Sequence, residues 1–495
     1  MDRLRKALPA VASALLLLAA FPPFNLGLLV FVALVPWINS LRDMPRWAAF
    51  RSGVLFGLIF MGGQFEFLVR FVYKWTQSLA LGVIPALIAT ILASLYFGWA
   101  ASLMALCWRK KWPALIPLVW VGIEVFRSFI PSLAFPWGLV HTPLFAYPSL
   151  IQLAHFGTAY LVSFMVIWAN LFFATGMHEG FRTSWIRYGL PLVVMFAASG
   201  TRYQAPFFGE PTKVLVAQPG VDMAFQSPEE EDRQIAMSLS EIFERTKTSD
   251  AKLMVLPEGL ANASDQIPPM TPFRIPDNPP VIFGGQRGLA PSYQTAFSYD
   301  GTWQWADKKR LVIFGEYVPL RNQLPFLKNF DLPSGDLVPS DKTTAISVNG
   351  IKVGPLLCFE GLFIDVANAQ ARNGAQLLAV MSLDDWYMET GAPVQLMAGS
   401  VFRAIECGTP LLRSASLGHS IVVDPRGNIV HRAPLMEQYV MEAEVMLPKS
   451  PDWFGGILVF PYVALFSLLG VPIAALWRRG NSETPAQTQS PPEPN

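Results

Sequence analysis

Two blocks of apolar sequence bracket a polar centre, and that arrangement decides what this chain can fold into. Apolar runs fall near residues 8–22, 25–41, 52–72, 78–106, 113–130, 156–176 and 187–200, and one more lies at 455–477. A helix needs about 20 apolar residues to cross a bilayer, and inside lipid each backbone polar group must find its partner within the fold. The expectation is a multi-pass α-helical membrane bundle of about eight spans, several of them short or interrupted by proline. Composition agrees, since charged residues make up 15% where soluble proteins carry about 25%. The net charge of +1 gives no argument for a nucleic-acid partner.

The start of the chain, Arg3-Leu-Arg-Lys6 before an Ala/Leu-rich run, also has the pattern of a signal peptide. A second apolar run follows almost at once, and Pro22-Pro23 makes a natural connector, so an uncleaved helix is expected. Orientation follows from the cations. Arg3, Arg5 and Lys6 precede the first span, and Arg42, Arg46 and Arg51 follow the second. Arg109, Lys110 and Lys111 follow the fourth, Arg182 and Arg187 the sixth, and Arg478 and Arg479 the eighth. If the spans alternate, all lie on one side, which the positive-inside rule makes cytoplasmic. The expected division is an N-terminal transmembrane bundle at 1–202, an extracytoplasmic domain at 203–452, a transmembrane helix at 453–479 and a disordered cytoplasmic tail at 480–495. Glu66 and Glu124 lie within or beside spans, where each is either a satisfied interhelical partner or a polar lining for a lipid headgroup.

The polar centre reads as one α/β domain. Lys213–Ala217 and Leu253–Leu256 read as strands. Between them, Ser227-Pro-Glu-Glu230 opens a helix with an N-cap serine, proline at the first position and glutamate at the third. Val281–Phe283 and Leu311–Phe314 read as further short strands. Asn349-Gly350 marks a two-residue hairpin. Helices are expected at Ile364–Asn373 and Val394–Cys407, closed by Gly374 and Gly408, and strands at Leu377–Ser382, Leu411–Ala415 and Ser420–Val423.

Within this domain Glu258, Lys308 and Cys358 each end a short apolar run. A cysteine is a nucleophile as its thiolate and needs a base or a positive neighbour. Glu258 suits the first role and Lys308 the second, with Lys308 and the backbone N–H of Phe359 as donors to an oxyanion. On the residues alone, a buried structural cysteine is the favoured reading. Cys107 and Cys407 complete a sparse, odd set that is no disulfide framework. No HExxH, paired CxxC, phosphate loop or GxSxG motif occurs, so neither a metal nor any other cofactor is expected.

The order of the motifs adds a resemblance. Pro257-Glu258, Asp307-Lys308 through Phe314-Gly-Glu316-Tyr-Val-Pro, Leu357-Cys358-Phe-Glu360, Asp384-Asp-Trp386, Arg403-Ala-Ile-Glu406 and Pro410-Leu-Leu-Arg413 follow the pattern of membrane-embedded nitrilase-superfamily (C–N hydrolase) enzymes. The chain resembles the apolipoprotein N-acyltransferases. Phe21-Pro-Pro-Phe-Asn25, Ala33-Leu-Val-Pro-Trp37, Phe135-Pro-Trp-Gly138 and Leu150-Ile-Gln-Leu-Ala154 extend the likeness through the membrane part. The resemblance implies an αββα nitrilase-like sandwich with Glu258, Lys308 and Cys358 as catalytic triad. It implies Glu316 and Glu360 as supporting carboxylates and Trp386 as a substrate-binding residue on a mobile loop. The implied reaction is acyl transfer from a phospholipid, typically phosphatidylethanolamine, through a Cys358 thioester to the α-amine of a diacylglyceryl-cysteine lipoprotein. The implied setting is a monomer in the bacterial inner membrane with a periplasmic catalytic domain. A paralogue with another acceptor and a catalytically silent scaffold are the competing readings. Arg403, Glu406 and Arg413 read as structural charges.

The chain departs from the family pattern at several positions. Isoleucine stands at 313 where proline is usual, and Leu383-Asp-Asp-Trp386 replaces Asn-Asp-Ala-Trp. A common histidine is replaced near Leu396. Ser416-Leu-Gly418, followed by His419, stands for Asn-Thr-Gly. These positions bear on the acceptor more than on thioester formation.

Overall fold

The computed structural model describes residues 2–319, 321, 323, 332, 335–454 and 457–480; the expected tail beyond Gly480 lies outside them. The N-terminal part is helical: α1 (Asp2–Ala20), α2 (Val35–Ser40), α3 (Arg46–Gln64), α4 (Glu66–Thr76), α5 (Leu79–Arg109), α6 (Ile116–Phe129), α7 (Ala154–Glu179), α8 (Phe181–Ser184) and α9 (Leu190–Gln204). By length and apolar composition, three helices among the described residues are long enough to cross a membrane: Leu79–Arg109, Ala154–Glu179 and Val459–Trp477. A fourth is added if α3 and α4, bent by 42°, count as one broken span. The eight spans expected from sequence are not reached by this measure. The α3–α4 bend falls at Phe65, beyond Gly62-Gly63, and α7 is broken at Gly157 and Thr158.

Helices in lipid gain little from burying apolar surface, so they associate by close packing of small residues. A Cβ at Gly53 of α3 would lie 2.2 Å from the Phe97 carbonyl of α5. One at Gly122 of α6 would lie 2.4 Å from the Ala464 carbonyl of the C-terminal helix. The outward faces of Leu87, Ile88, Ile91 and Leu92 on α5 stay exposed, as do Phe466, Leu469 and Ile473 near the C-terminus, which suits a lipid surround. Glu124 is buried, its Oε1 accepting the Val140 N–H at 2.8 Å while its Oε2 has no hydrogen-bond partner among the described residues, whereas Glu66 pairs at the surface with Arg70.

The second part holds β1 (Glu210–Gln218), α10 (Pro228–Thr246), β2 (Met254–Val255), β3 (Val281–Arg287), β4 (Tyr293–Tyr299), β5 (Trp303–Asp307), β6 (Ile346–Val348) and β7 (Ile351–Leu357). Then come α11 (Ile364–Arg372), β8 (Leu377–Ser382), α12 (Ala392–Cys407), β9 (Leu411–Ala415), β10 (Ile421–Val423), β11 (Ile429–Arg432), β12 (Tyr439–Leu447) and α13 (Val459–Gly480). Two six-stranded sheets form, ordered β12-β1-β2-β3-β4-β5 and β11-β10-β9-β8-β7-β6. Val216, Val255, Ile282, Leu357, Ala379 and Leu412 fill the space between them. The outer face of the first sheet is covered by α10 through Ile235, Leu239 and Ile242. The second carries α11 and α12, whose apolar faces continue into the helical bundle as one core. This is the αββα arrangement of a nitrilase-like fold.

Local signals act as physics requires. The Ser227 hydroxyl accepts the Glu230 N–H, and Asn349 and Gly350 both take positive φ in the β6–β7 hairpin. One expectation fails: Leu311–Phe314 is not a strand. Its Val312 carbonyl accepts the N–H groups of Gly315 and Glu316, and Phe314 takes φ +59°. The apolar residues there fold into a turn around a carboxylate. Strands β4, β5, β11 and β12 were not anticipated.

Seam contacts tie the two parts together. Glu406 of α12 accepts the Ala159 N–H exposed by the break in α7 and pairs with Arg403. Gln395 donates to Gln64 at 2.9 Å. Phe359 stacks on Phe135 with centroids 5.3 Å apart.

Candidate active site

The polar residues singled out from sequence converge at one end of the sandwich. Glu258 follows β2, Lys308 follows β5 and Cys358 follows β7. Their side chains are brought together where the two sheets face each other. The Cys358 thiol lies near the Glu258 carboxylate, whose charge raises it. Lys308 Nζ donates to Glu316 Oε1 at 2.6 Å and lies 3.4 Å from Glu258 Oε1. Gln294 Nε2 donates to the same Glu258 oxygen at 2.9 Å. Glu258, Lys308 and Glu316 are all buried, and a charge so placed requires partners.

Cys358 takes φ +48°, a left-handed conformation that costs a non-glycine residue energy and is held by its surroundings. Glu360 supplies the hold. Its Oε2 accepts the Leu357 N–H at 3.0 Å, and its Oε1 accepts the Lys309 and Arg310 N–H groups at 2.8 and 3.0 Å. One buried carboxylate thus ties the cysteine turn to the lysine segment. Glu316 does similar work beside it: Oε2 accepts the Val312 N–H at 2.9 Å while Oε1 holds the ammonium.

The electrostatics favour a protonated thiol at rest. Burial and the Glu258 carboxylate push the Cys358 thiol up to about 12. Burial also raises Glu258, against the pull of Lys308. Burial alone would lower Lys308, but Glu258 and Glu316 hold the ammonium above its ordinary value. The arrangement is a thiol facing a basic carboxylate beside a fixed cation, suited to proton transfer during attack rather than to a standing thiolate.

Behind the sulfur, Ser382 Oγ lies 3.6 Å from Sγ and donates to Asp384 Oδ1 at 2.8 Å. Arg413 Nη2 donates to both Ser382 and Asp384. Tyr387 is partly buried, and its hydroxyl is pushed up by burial and by the nearby Cys358. Sequence reasoning passed over Gln294, Ser382 and Tyr387. Gln294 lies on an unanticipated strand, and Ser382 ends a strand read only for its apolar residues. Trp386 lies farther out, edge-on to Phe71 and Phe225 with centroids 5.6 and 5.4 Å away.

Two domain families match the chain. Residues 13–172 match the apolipoprotein N-acyltransferase N-terminal domain, and residues 293–453 match the carbon–nitrogen hydrolase domain. The apolipoprotein N-acyltransferase of Geobacter metallireducens is 29% identical over 91% of this chain and 91% of its own length. That of Gloeobacter violaceus is 27% identical over 94% and 93%. The chain belongs to the apolipoprotein N-acyltransferase family. As an N-acyltransferase-family chain it carries both halves in their expected order, with Lys308 and Cys358 inside the hydrolase match and Glu258 before it. Among solved structures, Saccharomyces cerevisiae Nit3, of the nitrilase superfamily, aligns with 58% of this chain and 99% of its own at 18% identity and a TM-score of 0.36. The fold assignment rests on the sheet order and the hydrolase match.

Proposed function

We propose that this enzyme takes an acyl chain from a phospholipid onto Cys358 and delivers it to the α-amino group of the N-terminal diacylglyceryl-cysteine of lipoproteins. The observation that carries the reading is the buried cluster in which Lys308 Nζ lies 3.4 Å from Glu258 and 2.6 Å from Glu316, with the Cys358 thiol beside both Glu258 and Lys308. In the first half-reaction Glu258 removes the thiol proton as sulfur attacks the ester carbonyl. The Lys308 ammonium and the Phe359 N–H stabilise the oxyanion. Glu258 then returns the proton to the departing lysophospholipid alkoxide, leaving the thioester. In the second, Glu258 takes a proton from the attacking amine, the amide forms, and the thiolate leaves and is reprotonated. Glu316 and Glu360 support the lysine and the cysteine turn, and Trp386 contacts the lipid.

The setting we infer is an eight-pass bacterial inner-membrane protein, with short helices such as α6 and α9 counted as passes. Residues 203–452 form the periplasmic domain and both termini are cytoplasmic, as the basic loops favour. The sn-1 chain of phosphatidylethanolamine is the proposed donor, and one chain supplies the whole triad, which suits a monomer.

The test is purified enzyme with phosphatidylethanolamine and a diacylglyceryl-cysteine peptide. An amide-linked third chain on the peptide is expected. Acylated enzyme that leaves the peptide amine free would contradict the acceptor assignment. A pH dependence also follows. Glu258 must be ionised to accept the proton, and its titration is raised, so acylation should fall off at a higher pH than an ordinary carboxylate gives. Iodoacetamide labelling of Cys358 should share that limb, and Glu258→Gln should remove it. A limb that survives in Glu258→Gln assigns it to another group.

A further inference from the structure

Asp385 and Ser416, two positions where the chain departs from the family pattern, are hydrogen-bonded to each other. Asp385 is 2% exposed. Its Oδ1 accepts the Ser416 hydroxyl and the Leu417 N–H at 3.3 Å, and its Oδ2 accepts the Met223 N–H at 2.8 Å. One buried carboxylate therefore joins the turn Asp385–Tyr387, the segment leading to Phe225 and the loop after β9. No part of the triad touches it.

What it joins is an aromatic wall. Phe225 lies two residues beyond Met223, in a segment turned by Asp222 Oδ1, which accepts the Ala224 and Phe225 N–H groups. Trp386 meets Phe225 and Phe71 edge-on. Tyr387 packs on Phe67 and Phe71 and lies near Cys358. The wall thus runs from helix α4 of the bundle to the nucleophile.

We propose that Asp385 is a positioning residue for lipid entry, whose carboxylate fixes the Phe225–Trp386–Tyr387 wall where it guides an acyl chain to Cys358. The proposal rests on the acyl-transfer reading above. The amide of Asp385→Asn keeps an oxygen for Ser416 and Leu417 but turns a donor toward the Met223 N–H, so it restores the clamp in part. Asp385→Ala restores none of it.

The experiment uses full-length enzyme in detergent and two reagents for the same sulfur, phosphatidylethanolamine and iodoacetamide. Asp385→Ala should raise the KM for phosphatidylethanolamine in acyl-enzyme formation about tenfold, with the maximal rate and the alkylation rate within about twofold of wild type. Asp385→Asn should recover most of the affinity, and Ser416→Ala should raise KM about threefold. Should Asp385→Ala fail to fold, unchanged KM values in the other two variants overturn the proposal. So does alkylation that slows in step with acylation, because the effect then lies in the nucleophile or the whole fold. Wild type that takes no acyl chain removes the transfer reading and this proposal together. Acylated wild type with an unchanged Asp385→Ala KM removes this proposal alone.

Discussion

Cys358→Ser is expected to fold as the wild type does and to lose acyl transfer by about 10⁴-fold or more. The substitution changes one atom and leaves the geometry of the turn alone. Position 358 keeps φ +48°, because the strain is held by Glu360 bonding to Leu357, Lys309 and Arg310. The chemistry does not survive. In the proposed mechanism Glu258 removes the thiol proton in the transition state, and an alcohol holds that proton far more tightly. The hydroxyl also leaves less readily when the amine attacks. Two readouts separate the effects: thermal unfolding, expected within a degree or two of wild type, and single-turnover acylation. A serine variant with wild-type turnover would remove the nucleophile assignment.

The second large effect is expected at Lys308. Lys308→Met keeps the stem and deletes the ammonium that both Glu258 and Glu316 contact. Two buried carboxylates then face each other without that cation. Breaking a buried ion pair by removing one partner costs about 3–5 kcal/mol, and losing an oxyanion donor costs about 10²–10³ in rate. The stability loss should depend on pH with a definite sign. Glu258, already raised by burial beside the cation, rises further without it. Its folded value then exceeds its unfolded one, so the folded variant binds an extra proton. The deficit should be full above the raised value of Glu258 and shrink as pH falls through it toward the ordinary carboxylate range. Adding Glu316→Gln should restore part of the stability and none of the activity. Denaturant unfolding at several pH values checks the first point, and single-turnover acylation the second. A Lys308→Met variant as stable and active as wild type would contradict the geometry described for the site.

Much of this was legible because it depends on local chemistry. The serine cap of α10, the Asn349-Gly350 hairpin and the positive-φ glycines after α11 and α12 need only a few neighbouring residues. The polar residues that converge were visible as charges ending apolar runs, since strand ends in a sandwich share one rim. Leu311–Phe314 misled because its apolar residues suit a strand, while Lys308, just before them, draws Glu316 inward and closes a turn. Strand β12 was legible and overlooked: Met441, Ala443, Val445 and Leu447 point inward and Glu442 and Glu444 outward, a plain period of two. Gln294, Ser382 and Asp385 carry no local signal. Their roles depend on which strands become neighbours, as when Asp385 reaches segments around Met223 and Ser416. The helix breaks at Phe65 and at Gly157–Thr158 also depend on tertiary partners, the latter on Glu406 from α12.

The proposed reaction turns on a thioester between Cys358 and a lipid acyl chain. Intact-mass analysis of purified protein after incubation with phosphatidylethanolamine tests it most directly. A gain of one acyl mass is expected, removed by neutral hydroxylamine and absent from Cys358→Ala. An unchanged mass, or an adduct that withstands hydroxylamine or persists in Cys358→Ala, would contradict it.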